Sequence, residues 1–310
     1  MPMAKAIFPV ASARRRFLKA SASNLMLWAL VRSSTAEETP AIRVAPGPGS
    51  FVFADSRGDP ARALTVYTYL PTGIDVADAP IVFVLHGHHR TAAAYRDTWK
   101  AQSDRYGFLV LAPLFDIRHW GHGLYSYASV LTNDGHARDA SLWSFSVIEH
   151  LFDAVRAATG SKAARYFIFG FSEGGQFVHR LVWLLPEARY ARAVIGTPGW
   201  YTMPRFDVRY PYGLGGAPVT EANLRTSLAR DVVLMLGDAD VDPHAPDLRT
   251  TREAMVQGSN RYERGLAFFK EVEQQAALRK VALGWRLHVV NGAAHEPSKL
   301  AAPAAARLMG

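Results

Sequence analysis

The run YFIFGFSEGGQFVHR, residues 166–180, constrains this chain more than any other stretch. Its first four residues are apolar and aromatic, the pattern of a short buried strand. Gly170-Phe171-Ser172-Glu173-Gly174 follows without a break, and residues 176–185 then carry apolar positions at helical spacing. A strand that turns at G-x-S-x-G straight into a helix holds its serine in a tight, strained turn with the hydroxyl exposed. Small residues are needed two places before and two places after such a serine, and Gly170 and Gly174 stand there. The pattern predicts a sheet in which one strand ends at a nucleophile, Ser172.

Short apolar runs recur on both sides of this turn. They cover residues 51–54, 63–70, 80–85 (PIVFVL), 107–111 (GFLVL), 191–195, 231–236 (DVVLML) and 285–290 (WRLHVV). SRGDP at 56–60 separates the first two and predicts a hairpin. PIVFVL is apolar at every position, as a strand covered on both faces must be. Helical spacing fills 91–105, 142–159 and 261–283, and the chain closes with an Ala-rich helix. Strands alternating with helices predict an α/β fold, a mostly parallel central sheet with helices on both faces. Sites in such sheets lie beyond the carboxyl ends of the strands. Residues 114–141 and 197–217 are irregular and rich in aromatic and turn residues, and the first is longer than a simple connection requires.

The formal charge of +8 arises mainly at the N-terminus. Residues 1–36 hold Lys5, Arg14, Arg15, Arg16, Lys19 and Arg32 and no acid; the remaining 29 basic residues face 27 acidic ones. A nearly neutral body gives no reason to expect a nucleic-acid partner. Arg14-Arg15-Arg16-Phe17-Leu18-Lys19 resembles a twin-arginine export signal. The weakly apolar segment after it, 20–31, is too short for a stable membrane span. Ser34-Thr35-Ala36 offers the small residues a signal peptidase reads, with cleavage before Glu37. Residues 1–36 are therefore read as a signal peptide, 37–49 as a Pro/Gly/Ala-rich linker and 50–310 as the catalytic domain. The export machinery is then a partner and the destination periplasmic or secreted. The absence of cysteine fits either side of the membrane, because a core of this size needs no disulfide.

A serine hydroxyl needs a base, and the base needs an acid to orient it. Past Ser172 stand His179, His244, His288 and His295, and only His295 lies in a Gly/Ala-rich loop beyond the last strand. Asp238, Asp240 and Asp242 follow the strand DVVLML; their spacing favours Asp240, with Asp238 as the alternative or as a turn-closing residue. Two backbone N–H groups, of Glu173 and of His88 in the loop after Leu85, are the candidate oxyanion donors. Trp143, Trp200, Tyr201, Tyr210 and Tyr212 are candidates to line the pocket. No basic pocket is legible. His86, His88 and His89 cluster, but no separate Asp, Glu or Cys motif completes a ligand set, so no metal is expected.

The pieces LHGHHRTAAAYRD, FGFSEGGQFVHR, LMLGDADVD and VVNGAAH resemble the oxyanion loop, nucleophile elbow, acid turn and base loop of the alpha/beta-hydrolase superfamily. The resemblance covers nearly all of residues 50–308 and is greatest to the secreted polyhydroxybutyrate-depolymerase and feruloyl-esterase-like branch. It implies hydrolysis of small or polymeric carboxylic esters through an acyl-enzyme, with no metal or organic cofactor. A peptidase or amidase using the same triad, and a catalytically silent exported binding protein, are the alternatives. Two features depart from the branch: Glu173 stands where a small or apolar residue is usual, and the depolymerase cysteines are absent.

Replacing Arg14 and Arg15 together by Lys keeps the charge and should block twin-arginine transport, leaving an uncleaved cytoplasmic precursor. Cell fractionation with N-terminal sequencing checks this; a periplasmic chain of the double variant beginning near Glu37 would contradict it.

Overall fold

The computed structural model describes residues 41–310. The leader read at 1–36 and the linker residues 37–40 lie outside them. In chain order the strands are β1 (Gly47–Phe53), β2 (Leu64–Leu70), β3 (Ile81–Leu85), β4 (Leu109–Leu114), β5 (Tyr166–Phe171), β6 (Tyr190–Gly196), β7 (Val232–Gly237) and β8 (Trp285–Val290). The helices are α1 (Ala92–Thr98), α2 (Lys100–Tyr106), α3 (His122–Tyr125), α4 (Ser144–Thr159), α5 (Glu173–Leu184), α6 (Glu221–Ala229), α7 (Arg252–Met255), α8 (Arg261–Leu278) and α9 (Pro297–Met309).

The strands form one sheet in the order β1-β2-β4-β3-β5-β6-β7-β8. β1, β2 and β4 pair antiparallel, and β4 through β8 are parallel neighbours. All five residues of β3 are buried, whereas β2 alternates buried with half-buried positions. Successive side chains of a strand point to opposite faces, so the interior parallel strands supply two cores. Phe83, Ile168 and Leu234 belong to one, shared with α4, α5 and α8; Val84, Phe169 and Met235 belong to the other, under α1 and α9. Each such side chain contributes about 1.5–3 kcal/mol when fully buried.

Several boundaries differ from the sequence reading. β1 begins at Gly47, inside the stretch read as linker, because β2 offers partners back to Leu70. The helix expected over 91–105 is two helices broken at Trp99. The buried Trp99 indole packs on Phe169 and Phe108, so tertiary packing overrides the continuous helical pattern. α6 was not legible from periodicity; a capping box, in which Thr220 and Asn223 satisfy each other's backbone N–H, marks its start. No helix among the described residues is long and apolar enough to cross a membrane.

Because β3, β5, β6, β7 and β8 run parallel, the loops after them share one edge of the sheet. Two buried histidines tie those loops down. His86, after β3, lies with Nδ1 2.9 Å from Gly87 O, and its Nε2 accepts from Phe115 N at 3.1 Å. His179, in α5, lies with Nδ1 3.0 Å from Gly175 O and accepts at Nε2 from Thr202 N at 2.9 Å. A ring nitrogen can accept only when unprotonated, so the geometry makes both rings neutral Nδ1–H tautomers. Burial drives the pKa of His86 down to about 3 and that of His179 well below its ordinary value.

A histidine depressed by folding is protonated first in the unfolded chain, near pH 6.5. Its contribution to stability is therefore complete above that pH and is lost as pH falls toward the folded value. Each of the two should remove up to about 1.4 kcal/mol per pH unit within that window. Denaturant midpoints between pH 7.5 and 5 should fall accordingly, and His86→Gln should be less stable at pH 7.5 but show a shallower decline. An unchanged decline in that variant would exclude His86 as a source.

Candidate active site

Ser172 joins β5 to α5 at φ +57° and ψ −114°, outside the regions an L-residue normally occupies. Such a conformation costs about 1–3 kcal/mol and persists only when its surroundings fix it. Ser172 N donates to Gly196 O at 2.9 Å, tying the turn to β6, and Gln176 N donates to Ser172 O. The turn is so tight that a β-carbon on Gly170 would overlap the carbonyl of Gly174, and one on Gly174 would strike the carbonyl of Leu85. The glycine spacing thus reflects two backbone approaches.

His295 sits beyond β8 with its ring 4.6 Å from that of Phe171. Its Nε2 is 2.9 Å from Ser172 Oγ and its Nδ1 is 2.7 Å from Asp240 Oδ2. Asp240, past the end of β7, also accepts from Thr197 Oγ1 at 2.7 Å and from Arg261 Nη1 at 3.4 Å. Burial works to raise the Asp240 pKa, but the bonds from His295 and Thr197 and the Arg261 charge outweigh it, and the net shift is downward. An ionised carboxylate only accepts, so Nδ1 of His295 carries its proton and Nε2 faces the serine hydroxyl as an acceptor. Asp238 instead accepts from Gly292 N at 2.7 Å, and Asp242 from His244 N at 2.8 Å. Both close turns.

Thr197 and Arg261 were missed by the sequence reading. Thr197 holds φ +36°, unusual for a β-branched residue, with its N–H on Met235 O. The T-P-G that follows β6 is a faint signal for it. Nothing in the sequence singles out Arg261 at the start of α8.

His88 and Glu173 line the same cavity as Ser172, and among the described residues the backbone N–H of neither donates a hydrogen bond. Glu173 is the first residue of α5, where an N–H has no helical acceptor. Its carboxylate is buried, which accounts for its departure from the usual small residue. Oε1 lies 2.8 Å from His122 Nδ1 and accepts from Ser126 Oγ at 3.1 Å, while Arg90 Nη2 lies 3.2 Å from Oε2. Arg90 also donates to Phe115 O at 2.8 Å and lies 4.3 Å above the Tyr125 ring, whose hydroxyl donates to His86 O. Glu173 thus anchors the loop after β3 and the segment around α3 to the serine turn.

A cavity of about 630 Å³ opens over Ser172 and His295. Trp200 lines it, as do Gln176, Tyr127 and Arg249. The expectation for Trp143 and Tyr201 is corrected: neither lines it. Trp143 packs in the core at the start of α4, its Nε1 on Arg138 O. Tyr201 is buried and stacks on Phe268 at 4.3 Å, while Gln257 bonds both its backbone groups. The chain bends at Gly199 and Trp200 after β6, and the adjacent side chains part, Trp200 to the cavity and Tyr201 to the core. Tyr212 reaches the site indirectly, its ring tilted against that of Trp200 at 4.5 Å, and Tyr210 bonds Tyr127 O.

Arg249 and Arg261 line the cavity, whereas Arg180 is fully buried outside its lining. Arg180 and Arg249 lie 4.3 and 5.2 Å from the Trp200 ring. Arg180 donates to Thr202 Oγ1 and to the carbonyls of Ser126 and Gln176, and Arg249 to the hydroxyls of Tyr212 and Tyr127. None of these acceptors is a carboxylate.

Among solved structures the chain is similar to poly(aspartic acid) hydrolase-1 from Sphingomonas sp. KT-1, at 37% identity and TM-score 0.83, covering 86% of this chain and 100% of that one. It is also similar to LpqC, a poly(3-hydroxybutyrate) depolymerase from Bordetella parapertussis, at 33% identity and TM-score 0.81, covering 84% and 89%. The S-formylglutathione hydrolase FrmB from Staphylococcus aureus, 13% identical with TM-score 0.55 over 87% of this chain and 99% of that one, shares the fold. No protein-family model and no curated protein matches the chain.

The three aspartates should separate in kinetics on one soluble ester. Asp240→Asn should lower kcat about 10³–10⁴-fold with a smaller change in KM. Asp238→Asn and Asp242→Asn should cost less than about tenfold. Thr197→Val keeps the shape but loses one bond to Asp240, for about a tenfold loss. A greater loss at Asp238 than at Asp240, with circular dichroism unchanged, would move the acid two residues upstream.

Proposed function

Since the chain belongs to the alpha/beta-hydrolase superfamily, in its polyhydroxybutyrate-depolymerase-like branch, we propose that it is a serine hydrolase cleaving carboxylic esters through an acyl-enzyme on Ser172. The observation that carries this reading is the continuous chain of hydrogen bonds from Ser172 Oγ through His295 to the buried Asp240. In the first step Ser172 Oγ attacks the ester carbonyl while His295 Nε2 takes the hydroxyl proton. The N–H groups of His88 and Glu173 receive the oxyanion that develops. Collapse breaks the bond to the alcohol, which leaves with the proton from His295. Water, deprotonated by the same nitrogen, then attacks the acyl-enzyme and releases the acid with Ser172 restored. Asp240 keeps the ring in the required tautomer and stabilises the imidazolium in both halves.

A second reading has its own support. The 37%-identical relative carries the name of a poly(aspartic acid) hydrolase, and that polymer is a polycarboxylate joined by amide bonds. Arg249 at the cavity wall, bonded to tyrosine hydroxyls rather than to an acid, is a cation such a substrate could use. The same steps serve an amide, with an amine as the leaving group.

Ser172→Ala should lower kcat on a p-nitrophenyl ester by about 10⁴–10⁶-fold with the fold intact, since the hydroxyl fills no core volume. More than a tenth of wild-type turnover in that variant would remove Ser172 as the nucleophile. Release of oligomers from poly(3-hydroxybutyrate) and from poly(aspartic acid), run beside a paired p-nitrophenyl ester and anilide, separates the two readings. Arg249→Gln should raise KM for the polyacid about tenfold or more if the second holds, and leave the neutral ester unaffected.

A further inference from the structure

At the rim of the same cavity two successive histidines meet an aspartate from another loop, and we propose that His88, His89 and Asp247 form a site for a divalent transition-metal ion, Zn²⁺ above all, whose occupation inhibits hydrolysis. His88 Nε2 lies 3.5 Å from Asp247 Oδ1, and His89 Nε2 lies 3.6 Å from Oδ2. Potential ligand atoms of all three residues fall within 4.8 Å of one another. These separations are too long for N–H···O hydrogen bonds, which run about 2.7–3.2 Å. They suit ligands of a common ion: Zn–N and Zn–O bonds of about 2.0–2.2 Å in a tetrahedron put neighbouring ligands about 3.3–3.6 Å apart.

The donor set selects the class of ion. Two imidazoles with one carboxylate suit Zn²⁺, Ni²⁺ or Cu²⁺, whereas Ca²⁺ and Mg²⁺ favour oxygen alone. All three residues are exposed, so an ion reaches them without any opening of the fold, and water completes its coordination.

The surrounding backbone holds the ligands in place. Residues 87–90 form a turn closed by Arg90 N on Gly87 O, with Arg90 at φ +57° and its guanidinium fixed by Glu173 and Phe115 O. The two imidazoles diverge by 66° with centroids 4.7 Å apart, which lets consecutive residues aim at one point. His122 stacks on His88 at 5.9 Å and limits its rotation. On the other side Leu248 N bonds Ala245 O, and the buried Arg264 grips Arg249 O at 2.8 Å, fixing the chain on either side of Asp247.

An ion here joins the loop after β3, which offers the His88 N–H to the oxyanion, to the loop after β7 across the cavity mouth. It narrows access to Ser172. Inhibition rests on the proposed hydrolase activity; binding of the ion does not. Each imidazole binds the ion through an unprotonated nitrogen.

Calorimetric titration of the untagged full chain with ZnCl₂ at pH 7.5, with CaCl₂ as a control, reads binding independently of activity. One Zn²⁺ site is expected, weakened at least tenfold in both His89→Gln and Asp247→Asn, retained in His295→Gln, and absent for Ca²⁺. Zn²⁺ should inhibit p-nitrophenyl ester hydrolysis by the wild type, and the concentration for half-inhibition should rise at least tenfold in Asp247→Asn. No Zn²⁺ binding, binding unchanged in both rim variants, or binding lost only in His295→Gln would overturn the site. Binding lost in the rim variants with wild-type hydrolysis unaffected by Zn²⁺ would overturn the inhibitory role. An inactive wild type that still binds Zn²⁺ at these residues would count against the hydrolase reading alone.

Discussion

Asp240 is a carboxylate buried in the protein interior, and much of the site follows from the need to keep its charge there. An unpaired buried charge is strongly unfavourable, so its oxygens need donors. Three elements supply them: Thr197 from the exit of β6, Arg261 from the start of α8, and His295 from the loop after β8. With its charge held, Asp240 fixes the His295 proton on Nδ1 and leaves Nε2 facing Ser172. Position, tautomer and ionisation are thus one problem solved by one set of bonds. The unusual φ of Thr197 fits this account, since its hydroxyl must reach down to the carboxylate while its N–H stays on β7.

A second buried carboxylate stands on the opposite side of Ser172. Glu173 is compensated by Arg90, His122 and Ser126, which come from the loop after β3 and the segment around α3. Removing one member of such a buried pair typically costs about 3–5 kcal/mol, because the partner charge is left stranded. Charge neutralisation therefore joins the two loops that frame the serine turn. The neutral His86 ring adds a bond from the oxyanion loop to the end of β4, and His179 adds one from α5 to the segment bearing Trp200. These bonds tie the edge of the cavity to neighbouring elements of the fold.

The cavity itself mixes an aromatic wall with cations. Arg180 and Arg249 on either side of Trp200 share its ring, and guanidinium groups over an indole face are attracted to its π-electrons. Both spend their donors on hydroxyls, carbonyls and an amide oxygen, and of the two only Arg249 lines the cavity. A poly(aspartic acid) hydrolase and a poly(3-hydroxybutyrate) depolymerase, one named for a charged polymer and the other for a neutral one, both resemble this chain closely.

The sequence by itself determined the sheet and the loops that carry the candidate site. Periodicity tells a strand from a helix, and G-x-S-x-G between them is legible because the steric demand for glycine is local. Ser172, Asp240 and His295 could be named because each lies just past a strand end, and parallel strands bring those ends to one edge. Only tertiary structure decided the rest. Asp238 and Asp240 are equivalent in composition, and what separates them is a backbone N–H of Gly292 for one and three side-chain donors for the other. Trp200 and Tyr201 are adjacent and alike, yet one lines the cavity and the other packs on Phe268, because the direction of a side chain in an irregular segment is set by what the fold places around it. Arg261 and Arg249 carry no motif, and no motif assigns Arg90 or Thr197 its contacts: their partners are far away in the chain, and a contact between distant residues exists only once the fold has formed.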